Sequence, residues 1–138
     1  MSDETYNICI IDDVKAICNS LTRELMKIAR DNKIRFKVND LQDSHDGLEY
    51  VLKYRLDLVI SDIKMPYMTG DVLIQKIKEE KPDLPIVVIT GFATKEKIIS
   101  IYQTDKSIVI LSKPWDSEKL TEAIGDGLNL KLKYIPED

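Results

Sequence analysis

Five short apolar runs alternate with stretches whose apolar residues recur every three or four positions, and this alternation restricts the chain to few folds. The runs are Tyr6–Ile11, Ile34–Val38, Leu58–Ile60, Ile86–Ile89 and Ile108–Leu111. Between them lie amphipathic helical patterns. Val14, Ile17, Leu21, Leu25 and Ile28 form the first, and Leu48, Val51 and Leu52 point inward in the second, which begins near Ser44. Leu73, Ile74 and Ile77 mark the third, a weaker fourth covers residues 94–102, and Leu120, Ile124 and Leu128 mark the fifth behind Asp116 as N-cap. Strand and helix in strict alternation predict an α/β fold built on a parallel sheet with right-handed crossovers. Two strands carry positional information. Ile34, Phe36 and Val38 alternate with Arg35, Lys37 and Asn39, the period of a strand with one wet face, so this strand belongs at a sheet edge. Ile86–Ile89 is almost purely β-branched and belongs inside the sheet, buried on both faces. Gly125 and Gly127 weaken the last helix by about 1 kcal/mol each relative to Ala. The charged residues 131–138 are expected to fray.

The 138 residues suit one domain with one core. A net charge of −4 argues against a nucleic-acid-binding surface. No apolar run approaches the roughly 20 residues that cross a bilayer, and the opening MSDETYN lacks a signal-peptide layout, so a cytoplasmic location is expected. Cys9 and Cys18 lack CxxC spacing and read as small buried hydrophobes rather than a disulfide or metal pair. His45, beside Asp43, Ser44 and Asp46, reads as a solvated surface residue in preference to a phosphorelay histidine.

The chemistry is legible in where polar residues stand. Asp12 and Asp13 follow the first strand, Asp62 the third, Thr90 the fourth and Lys113 the fifth. In open α/β sheets ligands bind outside the carboxyl ends of the strands, so these residues converge on one pocket. Three carboxylates there repel strongly, since two unit charges about 4 Å apart cost about 4 kcal/mol at an effective dielectric near 20. They require a cation or a raised pKa, and an oxygen-only partial cage favours Mg²⁺. Mg²⁺ and the Lys113 ammonium would neutralise the trio and prepare the pocket for a phosphoryl group. Asp62 is then the nucleophile, and the Thr90 hydroxyl a donor to a phosphoryl oxygen beside the accessible backbone of Gly91.

Asp12-Asp13, Asp62 in SDIKMPYMTG, Thr90 in VVITG and Lys113 in SKPW together resemble the receiver domain of two-component response regulators over about residues 6–130. The resemblance implies a flavodoxin-like, doubly wound (βα)5 fold with a five-stranded sheet in the order 2-1-3-4-5, an order for which receivers are themselves a standing example. It implies one receiver domain over residues 1–138, core 6–130 and tail 131–138. It further implies that Asp62 takes phosphate from a sensor histidine kinase or phosphotransfer protein. Asp12, Asp13, Asp62 and the backbone carbonyl of Lys64 would hold Mg²⁺. Thr90 and Lys113 would read the phosphoryl group, and the Lys113–Pro114 bond would be cis. Such a chain is a switch whose output is protein binding. Its own chemistry is limited to Mg²⁺-dependent self-phosphorylation from small donors and slow autodephosphorylation. A homodimer through the face of the fourth helix, fifth strand and fifth helix, which carries Tyr102, Lys106 and Lys119, is compatible with this reading.

The chain departs from the family at Ile110, which stands where many receivers carry a switching aromatic three residues before the lysine. Trp115 or Tyr102 could serve the output face instead, although partial burial against the last helix is the preferred reading of Trp115. The expectation is that the segment after Thr90 and the fourth helix reorganise without an aromatic flip. Lys64 and Phe92 stand two residues after Asp62 and Thr90, and a bulky Phe92 could shield the phosphoryl group from water. Two other readings fit the residues less well. An Mg²⁺-dependent phosphatase with an aspartyl intermediate usually carries a second carboxylate two residues after the nucleophile, where this chain has Lys64. A cofactor-binding flavodoxin-like module needs a Gly-rich loop after the first strand, where this chain has Asp12-Asp13-Val14.

Overall fold

The structure is a computed structural model that describes residues 4–137. Five strands and five helices alternate: β1 (Thr5–Ile11), α1 (Lys15–Asp31), β2 (Arg35–Leu41), α2 (Ser44–Lys53), β3 (Leu58–Ser61), α3 (Gly70–Glu80), β4 (Ile86–Thr90), α4 (Lys95–Thr104), β5 (Val109–Ser112) and α5 (Ser117–Leu128). All strand pairs are parallel and the order is β2-β1-β3-β4-β5. The alternating strand is therefore at an edge, and β4 is buried along its whole length.

The sheet divides the core in two. On one face Ile8, Ile10, Leu58, Ile60, Val87 and Ile89 pack with Leu21 and Leu25 of α1 and Leu120 and Ile124 of α5. On the other, Cys9, Ile11, Val59 and Val88 pack with Val51 of α2, Leu73, Ile74 and Ile77 of α3, and Ile101 of α4. Strand residues thus alternate between faces, as a pleated strand requires. Both cysteines are buried and free, and His45 is exposed.

Side-chain caps start three helices. Asp43 accepts from the Asp46 amide, Thr94 from Lys97 and Asp116 from Lys119. α4 buries only Ile101 fully, and the Gln75–Ser100 hydrogen bond of 2.8 Å ties it to α3.

Three expectations need correction. Leu52 is 40% exposed, because the buried stripe of α2 is Ser44, Gly47 and Val51, and Leu52 lies one residue, about 100°, off it. Val14 is also exposed: it precedes α1, whose inward stripe begins at Cys18. The third correction concerns the tail. Asn129 adopts a left-handed conformation that turns the chain, and the Leu130 amide donates to Gly125 O at 2.8 Å. Leu132 then packs on the α1–α5 side of the core. Asn32 binds the Lys133 backbone twice, donating to its carbonyl at 3.0 Å and accepting from its amide at 2.8 Å. Lys27 Nζ donates to Ile135 O at 2.6 Å. A charged composition concealed one well-placed leucine and several main-chain partners. Gly125, marked by its low helix propensity, is required here, because a Cβ would stand 2.8 Å from Leu130 O.

Candidate functional site

The carboxyl ends of β1, β3, β4 and β5 open into a cleft of about 530 Å³ lined by Asp13, Asp62, Lys64, Thr90, Phe92 and Lys113 among others. Asp62 is buried at its floor, Asp12 is buried beside it against Lys113, and Asp13 is exposed at its mouth. Each is where it is because a strand ends there: Asp12 N donates to Leu41 O of β2, and Asp62 N to Ile11 O of β1. The loop from Ile63 to Thr69 then folds tightly. Gly70 N donates to Ile63 O at 2.7 Å, and a Cβ on Gly70 would stand 2.0 Å from Asp62 O. Only glycine permits that approach. Tyr67 sits in the left-handed region with φ 68°, with a Met68 N–H to Pro66 O bond of 2.8 Å across it, and its ring is 92% exposed.

Lys113 Nζ lies 2.7 Å from Asp12 Oδ2 and 3.0 Å from Asp62 Oδ2, bridging the two buried acids. The remaining oxygens meet backbone amides. Asp12 Oδ1 accepts from Val14 N at 2.9 Å, and Asp62 Oδ1 from Ile63 N at 2.7 Å and Lys64 N at 3.4 Å. Burial raises the Asp12 carboxyl above its usual range, with the Asp62 charge adding to the rise, although Lys113 and the Val14 amide oppose it. For Lys113, burial works to lower the pKa, but the hydrogen bonds to Asp12 and Asp62 outweigh it and the ammonium is held more firmly than usual. The structure therefore brings all five strand-end residues together.

Oxygen atoms of Asp12, Asp13 and Asp62 lie within 4.8 Å of one another, spacing that one small divalent cation can bridge. An all-oxygen donor set of this kind fits Mg²⁺, with one carboxylate exposed enough to leave room for water. Thr90 is buried, and its hydroxyl donates to Phe92 O at 3.0 Å while accepting from Phe92 N at 3.4 Å. The single hydroxyl proton is thus held by the segment after β4. Phe92 itself is 68% exposed at the rim. The Lys113–Pro114 bond is cis, as expected.

Ile110 is half-buried against the α3–α4 side of the core, so no aromatic ring of β5 stands behind Thr90. Trp115 lies on the opposite side of the sheet: it packs beside α1 and α5 and donates its indole N–H to Glu24 at 2.5 Å. It therefore cannot substitute at the α4 face, where Tyr102 is 40% exposed. Sequence reasoning missed Glu24 as the partner of Trp115, because nothing local links residues 91 positions apart.

Comparison with known proteins agrees with this arrangement. The profile of the response regulator receiver domain matches residues 8–125. Among curated relatives, the response regulator Rre1 of Synechocystis is 31% identical over 88% of this chain and half of its own length. The transcriptional regulatory protein GlrR of Escherichia coli is 26% identical over 93% of this chain but only 27% of its own length. The chain thus spans about a quarter to a half of the length of these relatives. A CheY-like receiver domain protein from Methanospirillum hungatei superposes with a TM-score of 0.81 at 25% identity, covering 91% of this chain and 95% of that one. The chemotaxis protein CheY4 of Vibrio cholerae shares the fold with a TM-score of 0.77 at 23% identity, covering 91% of this chain and all of that one. A sheet in the order 2-1-3-4-5 and a profile match over most of the chain lead to one conclusion: the chain belongs to the response regulator receiver domain family, whose members are phosphorylation-dependent signalling switches rather than metabolic enzymes.

Proposed function

We propose that Asp62 accepts a phosphoryl group from the phosphohistidine of a sensor histidine kinase or phosphotransfer protein, and that the phosphorylated chain signals by binding another protein. The observation that supports this most is Lys113 placed between Asp12 and Asp62 at the floor of an open cleft. A carboxylate oxygen of Asp62 attacks phosphorus, the phosphorus–nitrogen bond to the donor imidazole breaks, and the imidazole leaves with the bonding electrons. The product is an acyl phosphate. Lys113 then faces the phosphoryl oxygens as well as the carboxylates, and Thr90 donates its hydroxyl proton to one of them in place of Phe92 O. Bound Mg²⁺ supplies charge neutralisation for the incoming oxygens. Asp12, Asp13 and Asp62 would hold it, joined by the Lys64 carbonyl.

Because Thr90 and Phe92 are already bonded, recruitment of the hydroxyl draws on the segment between β4 and α4. α4 has a single fully buried residue, so it can follow at low cost. With Ile110 in β5, the signal passes through this backbone rather than through a ring. The α4–β5–α5 face, with Tyr102 exposed, is the surface on which a target or a second copy would read it. A cytoplasmic setting fits a partner of this kind, and no described helix is long and apolar enough to cross a membrane. The chain acts as one receiver unit over residues 1–138. The phosphatase alternative lacks its second carboxylate, since Lys64 is in that place.

Incubation with Mg²⁺ and acetyl phosphate, followed by intact mass measurement, tests the assignment. One labile phosphoryl adduct is expected in the parent and none in Asp62→Asn. Sustained turnover of a phosphomonoester would favour the phosphatase instead.

A further inference from the structure

The tail after α5 meets the body of the protein in an unusual way. Among the described residues its hydrogen bonds to the body use its backbone: Leu130 N to Gly125 O, Lys133 N and O to the Asn32 side chain, and Ile135 O to Lys27 Nζ. One side chain, Leu132, anchors it in the core between α1 and α5. The side-chain amide of Asn32 presents a donor and an acceptor together, as a neighbouring strand would, and so reads extended main chain rather than a particular residue. Lys27 is itself fixed by Asp31 at 2.6 Å, which aims its ammonium at the tail. The tail does not fill the space it enters. A cleft of about 520 Å³ remains between α1, α5 and the tail, bounded by Arg23, Glu24, Ser117 and Thr121 and by the tail's own Tyr134 and Ile135. Tyr134 and Ile135 are 38% and 46% exposed, and besides its main chain the outer half of the segment has the Tyr134 ring, whose centroid lies 6.0 Å from Lys27 Nζ.

We infer that α1 and α5 form a peptide-binding groove, and that residues 130–137 of this chain are its resident occupant. The groove recognises an extended segment with one aliphatic anchor, seated at the Leu132 position, and free main-chain groups after it. While the tail is seated, the groove is closed to any other segment of that chemistry. When it lifts, the α1–α5 face becomes a second protein-binding surface, separate from the phosphoryl-accepting cleft and independent of its chemistry. Trp115 reports on the groove, because the sequence has one tryptophan and its indole is bonded to Glu24 on the groove wall.

The full chain tests this directly. In amide exchange measurements the Lys133 N–H should be protected in the parent and lose about tenfold of that protection in Asn32→Ala, while the Leu130 N–H, which is held by Gly125 O, keeps more of its own. A synthetic peptide of residues 129–138 should give a saturable change in Trp115 fluorescence with Leu132→Asp. It should bind the parent at least about tenfold more weakly, because a tethered copy acts at an effective concentration on the order of millimolar. Leu132→Ala, which weakens the tail's anchor and leaves Asn32 and Lys27 in place, gives the same comparison should Leu132→Asp unfold, as judged by thermal melting. An unprotected Lys133 amide in the parent, or a folded variant that binds the peptide no better than the parent, overturns the proposal. Labelling at Asp62 is scored separately, so its failure counts only against the phosphoacceptor assignment.

Discussion

Lys113 and Asp62, 51 positions apart in the chain, are joined by a 3.0 Å ion pair at the floor of the cleft, and the same ammonium also holds Asp12. The pocket is thus already partly neutralised by the protein itself. Any added cation enters against Lys113, while any added anion enters with its help.

Replacing Lys113 by Ala should therefore separate two properties that active-site substitutions usually lower together. Removing a cation this close should tighten Mg²⁺ binding by about tenfold, corresponding to about 1.4 kcal/mol of relieved repulsion. Phosphoryl transfer from acetyl phosphate should slow by about a hundredfold, because the transferring oxygens lose their fixed counter-charge. Calorimetric titration with Mg²⁺ and time-resolved intact mass give the two numbers. Weaker Mg²⁺ binding in the variant would contradict this account of the pocket.

Asp12 carries the opposite lesson about stability. Burial raises its folded pKa above the unfolded value, so the neutral acid is the form the fold prefers. A raised pKa stabilises below the unfolded pKa, and that contribution is lost as pH rises through the folded pKa. Burying the ionised form is a cost to the fold that the proposed metal-binding role of Asp12 would account for. Asp12→Asn keeps an oxygen for the Val14 amide and leaves Lys113 paired with Asp62. It should leave stability unchanged or raise it by up to about 1 kcal/mol while abolishing Mg²⁺ binding. Urea unfolding without metal measures the first effect, and a clear loss of stability would refute it.

Gly70→Ala should be costly even though the substitution adds one methyl group. The new Cβ would lie 2.0 Å from the Asp62 carbonyl, a backbone atom that cannot swing aside. A destabilisation of about 2–4 kcal/mol is expected, together with slower phosphorylation because Asp62 itself must shift. A variant within about 0.5 kcal/mol of the parent, the range of an ordinary surface change, would show that the loop can relax.

Away from the cleft, Asp105 governs part of the acid limb of stability. Its carboxylate lies 2.7 Å from Lys78 Nζ and accepts from the Ser107 amide and hydroxyl. Burial works to raise its pKa, but these partners outweigh it and bring the value down to about 2. A depressed pKa contributes stability that is present above the unfolded pKa and lost as pH falls through the folded one. The window therefore runs from about pH 4 down to about pH 2, and the contribution is at most about 2 kcal/mol. Asp105→Asn should flatten the stability profile in that window. An unchanged profile would assign the acid limb to other groups.

If Asp62 is phosphorylated as proposed, Phe92 is placed to affect the lifetime of that state. Its ring is exposed at the rim of the cleft, near the path by which water would reach Asp62. Phe92→Ala should shorten the half-life of the acyl phosphate several-fold, by about 1 kcal/mol in barrier, with the backbone bonds to Thr90 retained. Loss of label followed after removal of the phosphodonor decides it, and an unchanged half-life assigns Phe92 to covering the loop alone.

Much of this molecule was legible from residue pattern. The alternation around Phe36 placed β2 at an edge, and the β-branched run Ile86–Ile89 placed β4 inside, because burial on one face or two leaves a direct mark on composition. Polar residues at strand ends marked the site because parallel topology brings those ends together. What escaped were features set by pairings distant in sequence. The stripe of α2 was misjudged at Leu52 because Ser44 and Gly47 are small and do not look like core. The seated tail depends on Asn32 and Lys27, about a hundred residues upstream, and the indole of Trp115 depends on Glu24. The Thr90–Phe92 bonds are local, yet they arise from how the chain leaves β4, which residue identity does not encode.

The edge position of β2 has a consequence for association. Its outward residues Arg35 and Lys37 are charged and exposed, and the strand at the other edge, β5, is only four residues long. Long-charged and short edges are poor templates for adding a strand from a neighbouring molecule. The sheet is thus guarded against growing sideways into larger aggregates, and self-association of this chain is left to helix surfaces, where it can be reversible.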